Sequence, residues 1–339
     1  MEKILTIVVP SYNAEKYLQD NLDSFCIEEL LPDIEVLIIN DGSTDRTVHI
    51  AESYVQTYPD TYKVINKENG GHGSGINCGI QHASGIYFKV VDADDWVDPD
   101  AFRRLVDALR QKPADVVYSG FLWAYDEGQE KKEQYATKAE MAVPFEGVVY
   151  GKVYEFDEVA PSLYMKMHNM TIRTEILRQN GIRMDEKCFY VDTEYITYPI
   201  PYVQTICFVE GYVYRYRIGR QGQSVGMEKM QQYENHYDRV MASLLNFYEK
   251  LGNEIPCTAP RKRYIAGIIA RVAAGKIKIM LSFPRSSQKK KELRMFDEHL
   301  RTHYPEVYYG NINKAITLLR KSRYWLYGPV SGLVRRKYR

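Results

Sequence analysis

A chain of 339 residues, 45% hydrophobic and 26% charged, is long enough to bury a sizeable core and too apolar for wholesale disorder. Its net charge of +1 conceals a gradient, −12 over residues 1–100, −2 over 101–240 and +15 over 241–339, so the tail has the charge to meet an anionic partner or to form a solvated basic surface. Five scattered cysteines without a C-x-x-C pair exclude a disulfide framework and a cysteine zinc site and fit a reducing compartment; no signal peptide and no run of ~18 apolar residues for a transmembrane helix can be read in the chain.

In chain order, Ile4 to Val9 is a short β-branched run ended by Pro10 and reads as a buried strand, followed by a helical spacing over Asn13 to Phe25. Ile34 to Ile39 is a second strand, Asp41 to Asp45 a turn and Thr47 to Tyr58 a helix. Tyr62 to Asn66 is a third strand and Gly75 to Ala83 a helix. Tyr87 to Val91 is a fourth strand that runs into Asp92. Ala101 to Arg110 (helix) and Val116 to Ser119 (strand) follow. Strands alternating with helices imply βαβ units, a mostly parallel Rossmann-like sheet and ligands beyond the carboxyl ends of its strands. Residues ~125–165 read as an insertion or β-ribbon, ~165–220 as short helices and strands, and the rest as helices broken by prolines. The expected division is 1–125, 126–228 and a helical basic region 229–339.

Polar residues fall where the strands end. Asp92-Ala93-Asp94-Asp95 places three carboxylates in four positions after a buried strand. Such charge calls for a divalent cation with oxygen ligands, Mg²⁺ or Mn²⁺, unless it is an acidic turn capping the helix that starts near Asp98-Pro99. Asn69 to Gly75 is a Gly-rich loop opening a helix, able to bring backbone N–H groups close to an anion, with His72 as a phosphate or hydroxyl partner or a merely exposed loop residue. It is neither G-x-G-x-x-G nor a Walker A sequence, which disfavours a dehydrogenase or a P-loop enzyme. Asp41 could accept a nucleobase N–H or ribose hydroxyls, or cap its own turn. Asp192 is either a general base or a helix N-cap, with Glu194 two positions on. Tyr214 to Ser224 combines three arginines suited to a diphosphate, or forms a basic surface loop. The stretch Arg261 to Leu281, with the terminal Tyr324-to-Tyr327 and Arg335-to-Arg339 runs, lies on an anionic membrane or packs on the core with a basic outer face.

Thr6-Ile7-Val8-Val9-Pro10-Ser11-Tyr12-Asn13, Asn40-Asp41-Gly42-Ser43-Thr44-Asp45, Asn69-Gly70-Gly71 and Asp92-Ala93-Asp94-Asp95-Trp96, in this order, resemble the family 2 glycosyltransferases of GT-A fold. The likeness is specific over residues 1–125 and fades after about 230. It implies an inverting enzyme that moves a sugar from a nucleotide-sugar donor, by default UDP-linked, to a hydroxyl of a glycan or lipid-linked acceptor. The donor-binding residues it implies are Pro10, Tyr12, Asn13, Asp41, Gly71, His72, Asp92 and Arg217, with Tyr12 lining the base pocket. Asp94, with Asp92, would be the metal ligand for Mn²⁺ or Mg²⁺, and Asp192 the catalytic base. Val191 stands where the family's base is usually preceded by Glu. The Q-x-x-R-W motif of processive members is missing, which implies a single sugar addition. A nucleotidyltransferase and a non-catalytic nucleotide-sugar binding protein are the alternatives. The expected location is cytoplasmic, peripheral on the inner face of the cell membrane, with no nucleic-acid partner.

Overall fold

The computed structural model describes residues 2–111, 114–125, 143–219 and 226–337, with the backbone of 136–140. They fall into two units, Met1–Gln221 and Gly222–Arg339.

In the first unit the apolar run becomes β1 (Leu5–Ser11), buried at every position but Pro10. Continuous rather than alternating burial is what a strand covered on both faces requires. The helix that follows is shorter than its periodicity suggests: α1 spans Leu18–Asp23. Asn13 adopts φ 48, and its side-chain oxygen accepts Thr44 N–H at 2.9 Å, so the first residues of the periodic stretch tie two loops together instead. β2 (Ile34–Asn40), α2 (Thr47–Thr57) and β3 (Tyr62–Asn66) fall where expected.

The next helix, α3, spans His72–His82 and so takes in Gly73, Gly75 and Gly79. Glycine costs a helix about 1 kcal/mol relative to Ala, yet here tertiary fit outweighs propensity. A Cβ would stand 2.2 Å from the Asp185 carbonyl oxygen at Gly73, 2.9 Å from Pro10 Cβ at Gly75 and 2.5 Å from Val8 Cγ1 at Gly79. Only a bare helix face can lie this close to β1 and to the segment around Asp185.

β4 (Tyr87–Val90) leads into the acidic turn, β5 (Trp96–Val97) and α4 (Pro99–Gln111), the last with Asp98 Oδ1 accepting Ala101 N–H at 2.9 Å. β6 (Val116–Tyr125) runs past the expected end at Ser119. The expected ribbon exists as β7 (Ala136–Glu140), antiparallel to β6. β8 (Val153–Glu155), α5 (Phe156–Val159), β9 (Met170–Arg173), α6 (Thr174–Gln179), α7 (Asp192–Thr197) and β10 (Thr205–Ile218) complete the unit. The sheet order is β3-β2-β1-β4-β9-β6-β10-β5. The first four strands are parallel and β9 enters antiparallel between β4 and β6, giving the GT-A arrangement. Ser11 pairs with Asn40 and Asn40 with Asn66, so these strands end level with one another. Tyr214 to Arg217 lie within β10 rather than on a flexible surface loop, because β10 continues parallel to β6 as far as Ile218.

The second unit is helical: α8 (Met227–Gln232), α9 (Glu234–Lys250), α10 (Ala259–Ser282), α11 (Ser287–His303), α12 (Pro305–Tyr309), α13 (Lys314–Lys321) and α14 (Tyr327–Lys337). The isoleucines of α10 are buried, among them Ile265, Ile268 and Ile269. This corrects the membrane reading of residues 261–281: that apolar face is covered by the unit's own helices. No helix among the described residues is long and apolar enough to cross a membrane.

Candidate active site

The acidic turn sits at the carboxyl end of β4, after the fully buried Val90 and Val91. Its backbone is gripped from two sides. From α1, Asn21 Nδ2 donates to the carbonyls of Asp92 (3.0 Å) and Asp95 (2.8 Å). From β10, the Arg217 backbone N–H and the Tyr214 hydroxyl donate to the two Asp95 oxygens at 2.8 and 2.5 Å, and Arg217 Nε donates to the Asp94 carbonyl at 2.8 Å. The buried Asp95 carboxyl thus props the turn. Asp92 and Asp94 stay partly exposed beside it.

Carboxylate oxygens of Asp92, Asp94 and Asp95 lie within 4.8 Å of one another. Burial first, then the charges of Asp94 and Asp92, push the Asp95 carboxyl well above the usual carboxylate range. An all-oxygen acidic cluster of this kind fits a hard divalent cation such as Mg²⁺ or Mn²⁺, and the two partly exposed carboxylates are the ones placed to reach it.

His72 occupies the first turn of α3, not the loop before it, and its Nε2 lies 2.7 Å from Asp92 Oδ1. Burial opposes its protonation, but the charge and hydrogen bond of Asp92 together with the charges of Asp192 and Asp94 outweigh burial and raise its pKa. Asp41 holds the loop before the helix: its carboxylate accepts Gly70 N–H at 2.9 Å, Gly71 N–H at 2.7 Å and Lys67 Nζ at 2.6 Å. Gly71 has φ 81, a left-handed conformation, and a Cβ there would meet the Lys187 backbone at 3.3 Å. Asp41 therefore performs the turn-shaping role, on the loop across from its own.

Asp192 is the first residue of α7, and its carboxylate accepts the Thr193 backbone N–H. Burial lifts its pKa; His72 opposes that and Asp92 reinforces it. The buried Glu194 takes the supporting role, accepting Asp185 N–H at 2.8 Å. Lys187 N–H donates to the Gly70 carbonyl, and Asn77 both donates to the Met184 carbonyl (2.9 Å) and accepts Met184 N–H (2.8 Å). The segment that carries Asp192 is thereby stitched to α3 and the Gly-rich loop.

The structure brings His72, Asp92, Asp94 and Asp192 within electrostatic reach of one another. Tyr12 projects at 56% exposure beyond the end of β1, while Asn13 N–H binds Ser43 Oγ at 3.0 Å and Pro10 packs on α3. Arg217 is only 4% exposed, its guanidinium between the rings of Tyr17 (5.0 Å) and Trp96 (4.7 Å), with Asp20 Oδ2 at 3.3 Å. It touches the acidic turn from beneath. Arg220 and Ser224 lie outside the described residues.

Sequence reasoning missed Asn21, Lys89, His168 and Tyr214. Lys89 is fully buried under the turn, donating to the His168 carbonyl at 2.9 Å and more weakly to that of Met170 at 3.4 Å, and burial lowers its pKa to about 7. The His168 ring packs against Phe121, Tyr214 and Tyr216 (centroids 4.6–4.8 Å), and burial pushes it down to about 3, so it is neutral. A lysine inside an apolar strand, Tyr87-Phe88-Lys89-Val90, was the one available signal.

Residues 6–180, just over half of the chain, match the family model described as "Glycosyl transferase family 2". The chain is 39% identical over 121 residues to the uncharacterized glycosyltransferase EpsJ of Bacillus subtilis, a match that covers 36% of this chain and 35% of that protein. Its fold is similar to S. aureus TarS 1-349 in complex with UDP-GlcNAc, with TM-score 0.65 and 16% identity over 99% of this chain and 91% of that one. The mannosyltransferase PcManGT from Pyrobaculum calidifontis, in complex with GDP-Man and Mn²⁺, gives TM-score 0.54 at 15% identity over 100% of this chain and 85% of that one.

Proposed function

Since the chain belongs to glycosyl transferase family 2, and is thereby a glycosyltransferase rather than a nucleotidyltransferase or a non-catalytic binder, we propose that it is an inverting, metal-dependent enzyme using a nucleoside-diphosphate sugar, UDP-linked by default. The acceptor is a hydroxyl of a glycan or lipid-linked molecule. Residues 1–125 hold the donor and 126–228 face the acceptor. The basic region 229–339 meets an anionic membrane surface, which keeps the enzyme peripheral on the inner face of the cell membrane. The carrying observation is the convergence of Asp92, Asp94, His72 and Asp192 at the carboxyl end of β4.

Tyr12 lines the base, and Asp41 orders the Gly70–Gly71 loop against which the donor lies. Asp94 and Asp92 would hold a Mn²⁺ or Mg²⁺ ion, which when bound offsets the charge that develops on the departing nucleoside diphosphate. His72, whose pKa is raised chiefly by Asp92, stands on the same side as a hydrogen-bond partner for the diphosphate. Asp192 accepts the proton of the acceptor hydroxyl as that oxygen attacks the anomeric carbon from the face opposite the leaving group. Its raised pKa makes it a stronger base than a solvated carboxylate. Arg217, Tyr214 and Asn21 fix the acidic turn and so position Asp94 without touching substrate.

Calorimetry with a panel of nucleotide sugars, with and without Mn²⁺, tests the reading. One donor should bind in a metal-dependent manner, and Asp94→Ala should abolish that dependence. Full donor affinity in the Asp94→Ala protein would overturn the ligand assignment.

A further inference from the structure

From residue 307 to the end the chain carries no Asp or Glu and eight Lys or Arg. In the folded unit this charge surrounds exposed apolar side chains. Where α13 passes into α14, Arg323 and Tyr324 both adopt left-handed backbone (φ 48 and 66), a costly conformation for non-glycine residues. The turn is held in that shape from below: the Tyr324 hydroxyl donates to Asp297, which is also paired with Arg320. The result is that Trp325 stands 86% exposed. Buried Ile316, Leu319, Tyr327 and Val330 face the core of the unit. Leu318 on α13 and Leu333 on α14 point away from it, 49% and 68% exposed. Lys321, Arg323 and Arg336 are exposed around them, and none carries an ion pair among the described residues. Arg323 also borders a cleft of about 970 Å³ lined by Lys290, Lys291 and Arg294 of α11; the two acids lining it, Asp297 and Glu298, are paired with Arg320 and Arg301.

An exposed indole on a strained, braced turn, exposed aliphatic side chains on the two helices it joins and a predominantly basic rim match the chemistry of a bilayer interface. The ring sits at headgroup level, the aliphatics enter the acyl boundary and the cations face lipid phosphates. A nucleic acid would use the cations and the indole but would gain nothing from exposed leucines. We propose that the corner between α13 and α14 is an anionic-bilayer docking site, with Trp325 as its interfacial anchor, Leu318 and Leu333 entering the interface, and the α11 cleft receiving a lipid phosphate headgroup. The docking site deepens the peripheral location proposed for the enzyme and needs neither donor nor metal, so it stands or falls separately from the chemistry at Asp94.

The test is co-sedimentation of the full-length protein with vesicles of phosphatidylcholine alone and of phosphatidylcholine mixed with phosphatidylglycerol. Binding is expected to the mixed vesicles only. Each charge removed from the rim should weaken it about fivefold, so the double reversal Lys321→Glu/Arg323→Glu should abolish it. Lys250→Glu, a reversal on α9, should leave it nearly unchanged. Trp325→Ala should also weaken binding and remove a blue shift in tryptophan emission, with circular dichroism unchanged. Equal binding to both vesicles, equal effects of the Lys250 and Lys321/Arg323 reversals, or normal binding by Trp325→Ala would overturn the proposal. So would displacement by single-stranded RNA, or dimer formation that shields Trp325.

Discussion

Replacing Lys89 with methionine measures what a buried cation beneath the acidic turn costs the fold. The ammonium has two carbonyls as partners, and burial lowers its pKa from the ordinary 10.5 to about 7. That gap corresponds to about 4 kcal/mol of destabilisation at pH 7, where the unfolded lysine is protonated and the folded one half protonated. Because the folded pKa is the lower one, the penalty is fully present below pH 7. It is relieved at about 1.4 kcal/mol per pH unit as pH rises toward 10.5. Methionine removes the charge at nearly constant length but leaves the His168 and Met170 carbonyls without their donor, about 1–3 kcal/mol each. The two effects nearly cancel, so the Lys89→Met protein should lie within about 2 kcal/mol of the parent at pH 7. The profiles should then diverge: urea denaturation should show the parent gaining about 3–4 kcal/mol over the variant between about pH 7 and pH 10. Parallel stability profiles across that interval would refute a lysine desolvated without a compensating anion.

Asp192→Asn should preserve donor affinity while turnover falls about 10²-fold or more. In the parent, turnover should fall with acid through a pKa above the ordinary carboxylate range, since burial, reinforced by Asp92, outweighs His72; steady-state pH profiles locate that limb, and its persistence in the Asn variant would exclude Asp192 as the base. Arg217→Lys should weaken metal-dependent donor binding about 10- to 100-fold, the usual loss when a support beneath a metal site is removed, because an ammonium cannot fork to the Asp94 carbonyl and Asp20 together; calorimetry reads this directly. Gly79→Ala should lower stability by about 1–3 kcal/mol as its Cβ meets Val8. Gly267→Ala, in a helix with nothing within 4 Å, should raise it by up to about 1 kcal/mol in the same thermal melts.

The first half of the fold was legible because β1 and β2 are covered on both faces and therefore appear as nearly continuous apolar runs. Ile34 to Ile39 is buried throughout, while Tyr62 to Asn66, at the sheet's edge, is legible only from its β-branched Val64 and Ile65. Helix starts were less legible, since Asn13 and the glycines of α3 are chosen for contacts distant in sequence rather than for local propensity. The acidic turn could be picked out from charge density alone. Its supports could not, because Asn21, Tyr214 and Arg217 meet it from 71 to 123 positions away and carry no local pattern. The role of Asp41 was undecided between ligand and turn because its partners, the Gly70 and Gly71 amides, come from another loop.

The stitching of α3 to residues 184–187 bears on how this enzyme can be recombined with its relatives. A crossover placed after residue 125 looks harmless along the chain, yet it would take Asn77 from one parent and Met184 to Lys187 from the other. The bare glycine face at Gly73 admits the Asp185 carbonyl only if the incoming backbone follows the same path. Hybrids that exchange acceptor preference should therefore carry residues 69–79 and 184–194 as one cassette, inherited together.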